Sequence, residues 1–310
     1  MAPAEIKTTS ANHVSVKMEQ LVNCVNSHGS ANQIPILDPQ QALKIIVHGC
    51  NSSGGQYGAL AEVFQKQGQQ TLCFNYDDRD SISRSSDQLM EVISRLVNQV
   101  GMQDITVLGH SQGGLIARRA MVRGSALEAS LQSKPVHLKL VTVSSPFGGI
   151  QAASHCSSKS LAILSLGLTI PICQMVTGSK WDEIAPASSF VNAPGELMSA
   201  VQSHLKIVTD EEETCRTLAA DGSCKKKDFI FSIEEQRQTV VDQASVLKEQ
   251  IVKAGHVEIV GDEHQIPYKL IAVLQQNDYL ADRLPRELFL AELVRIYKQE
   301  KHLNERVSLP

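Results

Sequence analysis

The chain has 310 residues, a length that fits two domains of about 150 residues each or one large α/β unit with insertions. Apolar residues make up 42% and charged residues 20% of the sequence, which excludes a mostly disordered, collagen-like or coiled-coil chain. Because 29 Lys and Arg residues stand against 33 Asp and Glu residues, the net charge is −4, and no nucleic-acid partner is expected.

Short strands rich in β-branched residues alternate with amphipathic helices along the chain, which is typical of a parallel sheet in an α/β protein. Strands are predicted over residues 43–47, 71–76, 105–108, 138–143, 205–209 and 257–260. Helices are predicted over residues 56–67, 85–100, 115–122, 233–254, 267–276 and 286–300. The sequence therefore predicts an α/β fold, with a mostly parallel sheet flanked by helices.

The alternation of strands lapses between residues 150 and 200, where Ser, Pro, Gly and apolar residues dominate. We therefore expect an N-terminal extension (1–40), a core (41–149 and 201–310) and an inserted helical cap or lid (150–200). Part of this cap, residues 160–179, carries no charge, but Pro171 and several polar residues argue against a membrane-spanning helix.

The N-terminal 20 residues are polar and lack the apolar stretch of a signal peptide. As the chain stands, this predicts a cytoplasmic protein. A secreted protein is expected only if a targeting segment was removed or another export route is used.

The seven cysteines are spread along the chain without a CxxC pair, so neither a zinc site nor a thioredoxin-type site is predicted. Their odd number leaves at least one of them without a partner in the chain. Cys215 and Cys224 bracket a loop-like stretch. Both a local disulfide, formed in an oxidising compartment, and two separate reduced thiols fit this spacing.

The strongest chemical signal is a G-x-S-x-G pattern formed by Gly109, Ser111 and Gly113. It lies between the predicted strand 105–108 and the predicted helix 115–122, so the serine falls on a sharp strand-to-helix turn. Side chains at the glycine positions would clash with the neighbouring elements. Because the turn raises the hydroxyl of Ser111 at the carboxyl edge of the sheet, we predict this residue as a nucleophile.

A serine nucleophile needs a base, an acid that orients the base, and N–H donors for the oxyanion. His48, Gly49 and Cys50 follow the predicted strand 43–47. We predict the backbone N–H groups of Cys50 and Gln112 as the oxyanion hole, and His48 as a residue that stabilises the loop. A nucleophilic Cys50 is the alternative, but the sequence indicates no adjacent base that would activate its thiol.

The base is expected on the loop after the final strand, since the chain order in this architecture is serine, acid, histidine. His264 fits, because it follows the predicted strand 257–260 and the turn 261–263. His256 is the competitor, but it precedes that predicted strand and would lie at the opposite edge of a parallel sheet. We therefore predict His264 as the base.

The acid is expected in the acidic run that follows the predicted strand 205–209, which consists of Asp210, Glu211, Glu212 and Glu213. Any of these carboxylates can reach the imidazole from the end of that strand, and no carboxylate closely follows the strand 138–143. We predict Asp210 as the acid, with Glu212 and Glu213 as the alternatives.

These motifs resemble those of the α/β-hydrolase superfamily, specifically its lipases and esterases. The resemblance rests on H-G-x at 48–50, G-H-S-x-G-G at 109–114 and S-P-x-x-G at 145–149. Residues 184–190 are similar to the segment that closes the cap in bacterial triacylglycerol lipases and GPI inositol-deacylase-like proteins. The resemblance covers residues 43–190 and implies an α/β-hydrolase fold and an acyl-enzyme mechanism that needs no cofactor.

The leading functional hypothesis is a serine hydrolase that cleaves carboxylic esters of lipid or acyl-chain substrates, as a lipase, an esterase or a phospholipase does. A thioesterase acting on acyl-protein or acyl-carrier substrates is the first alternative, and a non-catalytic lipid- or protein-binding module is the second. The apolar stretch 161–176 is expected either to cover the serine as a lid, with peripheral membrane contact, or to be an ordinary buried helix.

Overall fold

We describe the protein from a computed structural model. The structure describes residues 5–10, 13–24, 34–50, 52–132, 134–151, 153, 180–262 and 264–297. Most of the predicted cap, including the apolar stretch 161–176, therefore lies outside the described residues.

A seven-stranded sheet forms the centre of the fold. The strands of all the sheets that the structure describes are, in chain order, β1 (Glu5–Ser10), β2 (His13–Lys17), β3 (Leu21–Val22), β4 (Ile36–Leu37), β5 (Leu43–Val47), β6 (Gln70–Phe74), β7 (Asp104–His110), β8 (His137–Val143), β9 (Val201–Asp210), β10 (Cys215–Leu218), β11 (Cys224–Lys227) and β12 (Leu247–Lys253). The central sheet has the order β12-β9-β8-β7-β5-β6-β3, while β1, β2 and β4 form a smaller sheet and β10 and β11 a hairpin. All pairs in the central sheet are parallel except β3 with β6, which confirms the predicted sheet.

Helices cover both faces of this sheet. They are α1 (Gly58–Lys66), α2 (Ile82–Arg95), α3 (Gln112–Ala120), α4 (Ala126–Leu131), α5 (Trp181–Ile184), α6 (Ser189–Asn192), α7 (Thr239–Asp242), α8 (Tyr268–Gln276) and α9 (Arg286–Ile296). Buried side chains of α2, α3 and α4 form one core and those of α1, α8 and α9 the other. Within the part of the chain that the structure describes, none of the helices has the length and apolar character needed to span a membrane.

The strand β5 shows how the sequence produces this layered arrangement. All five of its residues are buried; Ile45 and Val47 belong to one core, and Ile46 to the other. Successive side chains of a strand point to opposite faces, so a strand covered on both faces is apolar at nearly every position. The carboxyl ends of the parallel strands then meet at one edge of the sheet.

The structure differs from the prediction between residues 233 and 262. The predicted helix 233–254 is wrong: only α7 is helical there, and the chain then forms the strand β12. The predicted strand 257–260 is also wrong, because these residues form turns. As an edge strand, β12 is half in water, and its Lys, Glu and Gln residues are also good helix formers. The last strand of the sheet therefore ends just before His256.

Two disulfides tie described segments together. The bond between Cys215 and Cys224 clamps the hairpin of β10 and β11, so the disulfide alternative holds for this pair. The bond between Cys24 and Cys73 joins the segment after β3 to its neighbour β6. Each disulfide therefore reinforces a pair of neighbouring strands that backbone hydrogen bonds also join.

Candidate active site

The turn at Ser111 has the strained geometry expected of a strand-to-helix elbow. Ser111 lies between β7 and α3 with φ 55° and ψ −126°, a conformation that is unfavourable for a residue with a Cβ atom. The elbow leaves no room for side chains: a Cβ on Gly109 would collide with the backbone of Gly113, and one on Gly113 with the carbonyl of Val47. The Ser111 N–H donates to the carbonyl of Val143 over 2.9 Å, which fixes the turn against β8.

The loop after β5 lies directly against this elbow. A Cβ on Gly49 would be only 3.1 Å from the Cβ of Ser111, so the loop approaches the serine closely. Tyr76 holds the loop, because its hydroxyl donates to the His48 carbonyl over 2.7 Å and its ring stacks on that of His48. Gln112 begins α3, where backbone N–H groups have no partner within the helix. The predicted oxyanion donors, Cys50 and Gln112, therefore each lie one residue from this contact.

An acid–imidazole pair lies at the ends of β9 and β12. Glu211 follows β9, and His256 comes three residues after the end of β12. The Nδ1 of His256 lies 3.0 Å from Oε1 of Glu211, and both side chains are buried. Because β9 and β12 are parallel neighbours, the residues that follow them meet at the same edge of the sheet as Ser111.

The carboxylate of Glu211 accepts hydrogen bonds on both oxygens. Oε1 accepts from the hydroxyls of Ser144 and Thr209 over 2.7 and 2.8 Å, and Oε2 from the N–H groups of Ile230 and Phe231 over 2.6 and 2.9 Å. Burial acts to raise the pKa of Glu211, but the charge of His256 and these hydrogen bonds outweigh it and hold the pKa below its ordinary value. Glu211 is therefore an ionised, oriented carboxylate at neutral pH.

Ser144 lies on the acid side of the imidazole. This residue follows β8 with a positive φ of 46°, and its Oγ lies 2.8 Å from Nδ1 of His256. The hydroxyl oxygen of Thr209 lies 2.7 Å from the same Oγ. Since Nδ1 faces Glu211 and Ser144, Nε2 is the ring nitrogen left for proton transfer. The geometry makes Ser144 a support for the pair rather than the residue that Nε2 would activate.

His110 connects the elbow to the imidazole. Its Nε2–H donates to the carbonyl of His256 over 3.0 Å, and the two ring centroids are 4.7 Å apart. Burial holds the pKa of His110 well below its ordinary value, so the ring is neutral, and its Nδ1 accepts from the hydroxyl of Tyr57 over 2.9 Å. The residue next to Ser111 thus contacts His256 directly.

The predicted base and acid have other surroundings. His264 is exposed in a turn, where its backbone N–H donates to the Asp262 carboxylate over 2.8 Å. Asp210, the last residue of β9, pairs with Lys253 over 3.2 Å at the surface. Its neighbour Glu211 is buried instead. The structure brings Ser111, Glu211 and His256 to one edge of the sheet, and it directs Asp210 toward a lysine.

Glu212 and Glu213, the alternative acids, are both exposed. The sequence favoured His264 over His256 because the last strand was predicted over 257–260 and not over 247–253, where β12 lies. Residues 247–253 are polar except at Leu247, Ile251 and Val252, so no apolar run indicated this strand. Among the described residues, no cluster of His, Cys, Asp or Glu suited to a metal ion is present.

Comparisons with known proteins agree with this architecture. Residues 44–193 match the model of the palmitoyl protein thioesterase family. The mature form of a Bacillus licheniformis lipase is similar with a TM-score of 0.53 and 13% identity, covering 77% of this chain and 93% of that one. The propeptide form of the lipase has a TM-score of 0.55 at 13% identity, covering 86% of this chain and 55% of that one. No curated protein matches the chain by sequence.

The match to the family model and the similarity of fold agree with the resemblance seen in the sequence motifs. The chain has the α/β-hydrolase fold, of the type that includes lipases, esterases and thioesterases.

Proposed function

We propose that the chain is a serine hydrolase that cleaves acyl esters through an acyl-enzyme intermediate, with Ser111 as nucleophile, His256 as base and Glu211 as acid. The observation that carries the proposal is the buried hydrogen bond between His256 and Glu211, at the sheet edge where Ser111 forms the elbow. Asp210 and His264, which the sequence favoured, remain the alternative pair.

In the proposed reaction, Oγ of Ser111 attacks the carbonyl carbon of the substrate while Nε2 of His256 takes the hydroxyl proton. Glu211 stabilises the imidazolium through Nδ1 and keeps the ring in the tautomer with Nε2 unprotonated. The tetrahedral intermediate collapses, the leaving group takes the proton from Nε2, and the acyl group remains on Ser111. Water, activated by the same imidazole, then attacks the acyl carbon and releases the carboxylic acid.

The backbone N–H groups of Cys50 and Gln112 are proposed to bind the oxyanion of both tetrahedral intermediates. Support comes from the close approach of Gly49 to Ser111 and from the position of Gln112 as the first residue of α3, where a backbone N–H has no acceptor within the helix. A pocket lies beside α3 and is lined by five apolar residues and two arginines, namely Leu115, Phe147, Phe190, Val191, Pro194, Arg118 and Arg119. Its apolar side suits an acyl chain.

A thioester is the second candidate for the scissile bond. The match of residues 44–193 to the palmitoyl protein thioesterase family favours a fatty-acyl thioester on protein, whereas the lipase similarity concerns the fold. Both reactions use the same three side chains. Peripheral membrane contact through the cap stays a prediction.

The test measures hydrolysis of p-nitrophenyl esters of graded chain length beside a fatty-acyl thioester, together with labelling by a fluorophosphonate probe. We expect turnover in the wild type, one labelled serine, and loss of both in Ser111→Ala. Ser130→Ala, a half-buried serine on α4, is the control and should keep activity and labelling. A wild type that neither turns over nor is labelled would favour the non-catalytic binding module.

A further inference from the structure

Lys180 has an unusual position for a lysine. It precedes α5 and is 1% exposed, although lysines are almost never fully buried unless they are paired. Its Nζ lies 2.8 Å from Oε1 of Gln112 and 3.0 Å from Sγ of Cys50, and it also donates to the carbonyl of Asp78. An ammonium group has three N–H donors, and here each of them has an acceptor.

The acceptors of Lys180 come from two loops and the start of α3, all at the same edge of the sheet. Cys50 lies after β5, Asp78 after β6, and Gln112 directly after the elbow. Two of these residues are the ones whose backbone N–H groups are proposed to form the oxyanion hole. The side chain of Gln112 also donates to the Asp78 carbonyl over 3.3 Å, so the start of α3 and the loop after β6 are joined directly as well as through Lys180.

The charge of Lys180 also reaches the loop electrostatically. Burial lowers the pKa of His48, and the ammonium group adds to that effect. Burial raises the pKa of the Cys50 thiol, and the hydrogen bond and charge of Lys180 oppose this rise. A positive charge in a dry site, close to donors that face a developing negative charge, stabilises that charge more than it would in water.

We propose that Lys180 is a positioning residue for the oxyanion hole: its ammonium group holds Cys50 and Gln112 in register with Ser111 and adds positive potential where the oxyanion forms. The inference rests on the proposed function, since it assumes that these two backbone N–H groups face the substrate oxygen. Lys180 itself contacts the side chains of the hole, and its effect passes through them.

The test compares Lys180→Met and Lys180→Gln with Lys44→Met as the matched control. Lys44 is also buried, but it lies at the start of β5, away from the carboxyl edge, with its Nζ over the ring of Phe64. The measurements are kcat and KM on a soluble short-chain ester, and the affinity for a trifluoromethyl ketone, whose adduct with the serine carries an oxyanion.

Removing the charge should lower kcat and the ketone affinity by a similar factor, about ten- to a hundredfold, while KM changes by less than about twofold. Lys180→Gln keeps a hydrogen-bond donor without the charge, so it should retain more activity than Lys180→Met. The control should keep the wild-type kcat. A folded Lys180 variant with wild-type kcat, or one that loses thermal stability with unchanged ketone affinity, would overturn the proposal.

If both Lys180 variants fail to fold, Gln112→Leu carries the test, because it removes one acceptor of the ammonium group and leaves the lysine in place. A lowered kcat and ketone affinity would support the proposal, and wild-type values of both would contradict it. The proposed function fails separately, through a wild type that neither hydrolyses esters or thioesters nor is labelled.

Discussion

The two halves of the candidate site are built by different physical means. Around Ser111 the geometry is made by the backbone: a positive φ, glycines that admit no Cβ, and a helix that begins at the next residue. Around His256 it is made by side chains, because Glu211, Ser144 and Thr209 form a buried hydrogen-bond network that joins residues distant in sequence.

Because of this difference, substitutions that affect stability and substitutions that affect catalysis should fall in different halves of the site. A change that adds atoms at the elbow must displace backbone and therefore lowers stability, whereas a conservative change in the network leaves the packing intact and removes a proton-transfer or orienting group. Apart from the nucleophile Ser111 itself, the elbow half should therefore respond to substitution mainly in stability, and the network half mainly in activity. Four predictions test this contrast.

The largest effect is expected at the base. His256→Ala should lower kcat by about 10⁴-fold or more, because the variant lacks the imidazole that is proposed to accept the proton of Ser111. His264→Ala is the matched control, since His264 is exposed in a turn, and its kcat should stay within about twofold of the wild type. Steady-state hydrolysis of a short-chain ester measures both. A large loss of kcat in His264→Ala with little change in His256→Ala would identify His264 as the base.

The acid gives the next largest effect. Glu211→Gln keeps the size of the side chain but removes the charge that orients and stabilises the imidazolium, so kcat should fall by about 10³-fold. Asp210→Asn, on the adjacent residue, should change kcat little because Asp210 pairs with Lys253 at the surface. Circular dichroism of both variants should show a folded protein. Full activity in Glu211→Gln would exclude Glu211 as the acid.

The contrast between geometry made by the local backbone and geometry made by distant side chains also explains which parts of the fold and of the site could be predicted from the sequence. The strands β5 and β8 are rich in Leu, Ile and Val, and the glycines around Ser111 are a local pattern whose steric reason acts within a few residues. These features were predictable, as were the parallel sheet and the fold. The strand β12 was not, because an edge strand with one face in water has no apolar run that distinguishes it from a helix.

The wrong prediction at β12 also affected the choice of the base. With a helix predicted over 233–254 and the last strand over 257–260, His256 precedes that strand and is expected at the opposite edge of the sheet. The choice within the acidic run depends on one residue of register: Asp210 and Glu211 are adjacent, and only tertiary packing decides which side chain turns inward. Ser144 had no sequence signal, because a serine after a strand is recognisable only once its partners are known.

In the elbow half, Gly109→Ala should lower the free energy of unfolding by about 3 kcal/mol or more, because the added Cβ would collide with the Gly113 backbone. Gly124→Ala is the control: φ there is 76°, with no atom within 4 Å of an added Cβ, so only the conformational penalty of about 1 kcal/mol applies. Urea unfolding of both variants measures the difference. Equal destabilisation would mean that close packing at the elbow is unimportant.

Ser144→Ala should have the smallest effect on activity, a decrease in kcat of about tenfold, since Glu211 keeps its contact with His256. The variant also loses one of the hydrogen bonds that lower the pKa of Glu211, so this pKa should rise toward its ordinary value. A carboxylate with a lowered pKa in the folded state stabilises the protein above its unfolded pKa, and this contribution is lost as the pH falls through the folded pKa.

The stability difference between the wild type and Ser144→Ala should therefore be present at pH 7 and shrink below about pH 4, near the pKa of an unfolded glutamate. Urea unfolding at several pH values measures it. Ser145→Ala is a neighbouring control, because the Ser145 hydroxyl donates to the Val143 carbonyl and not to the acid. Because Glu211 is the group that titrates, a difference that stayed constant with pH would mean that Ser144 acts through packing rather than through the carboxylate.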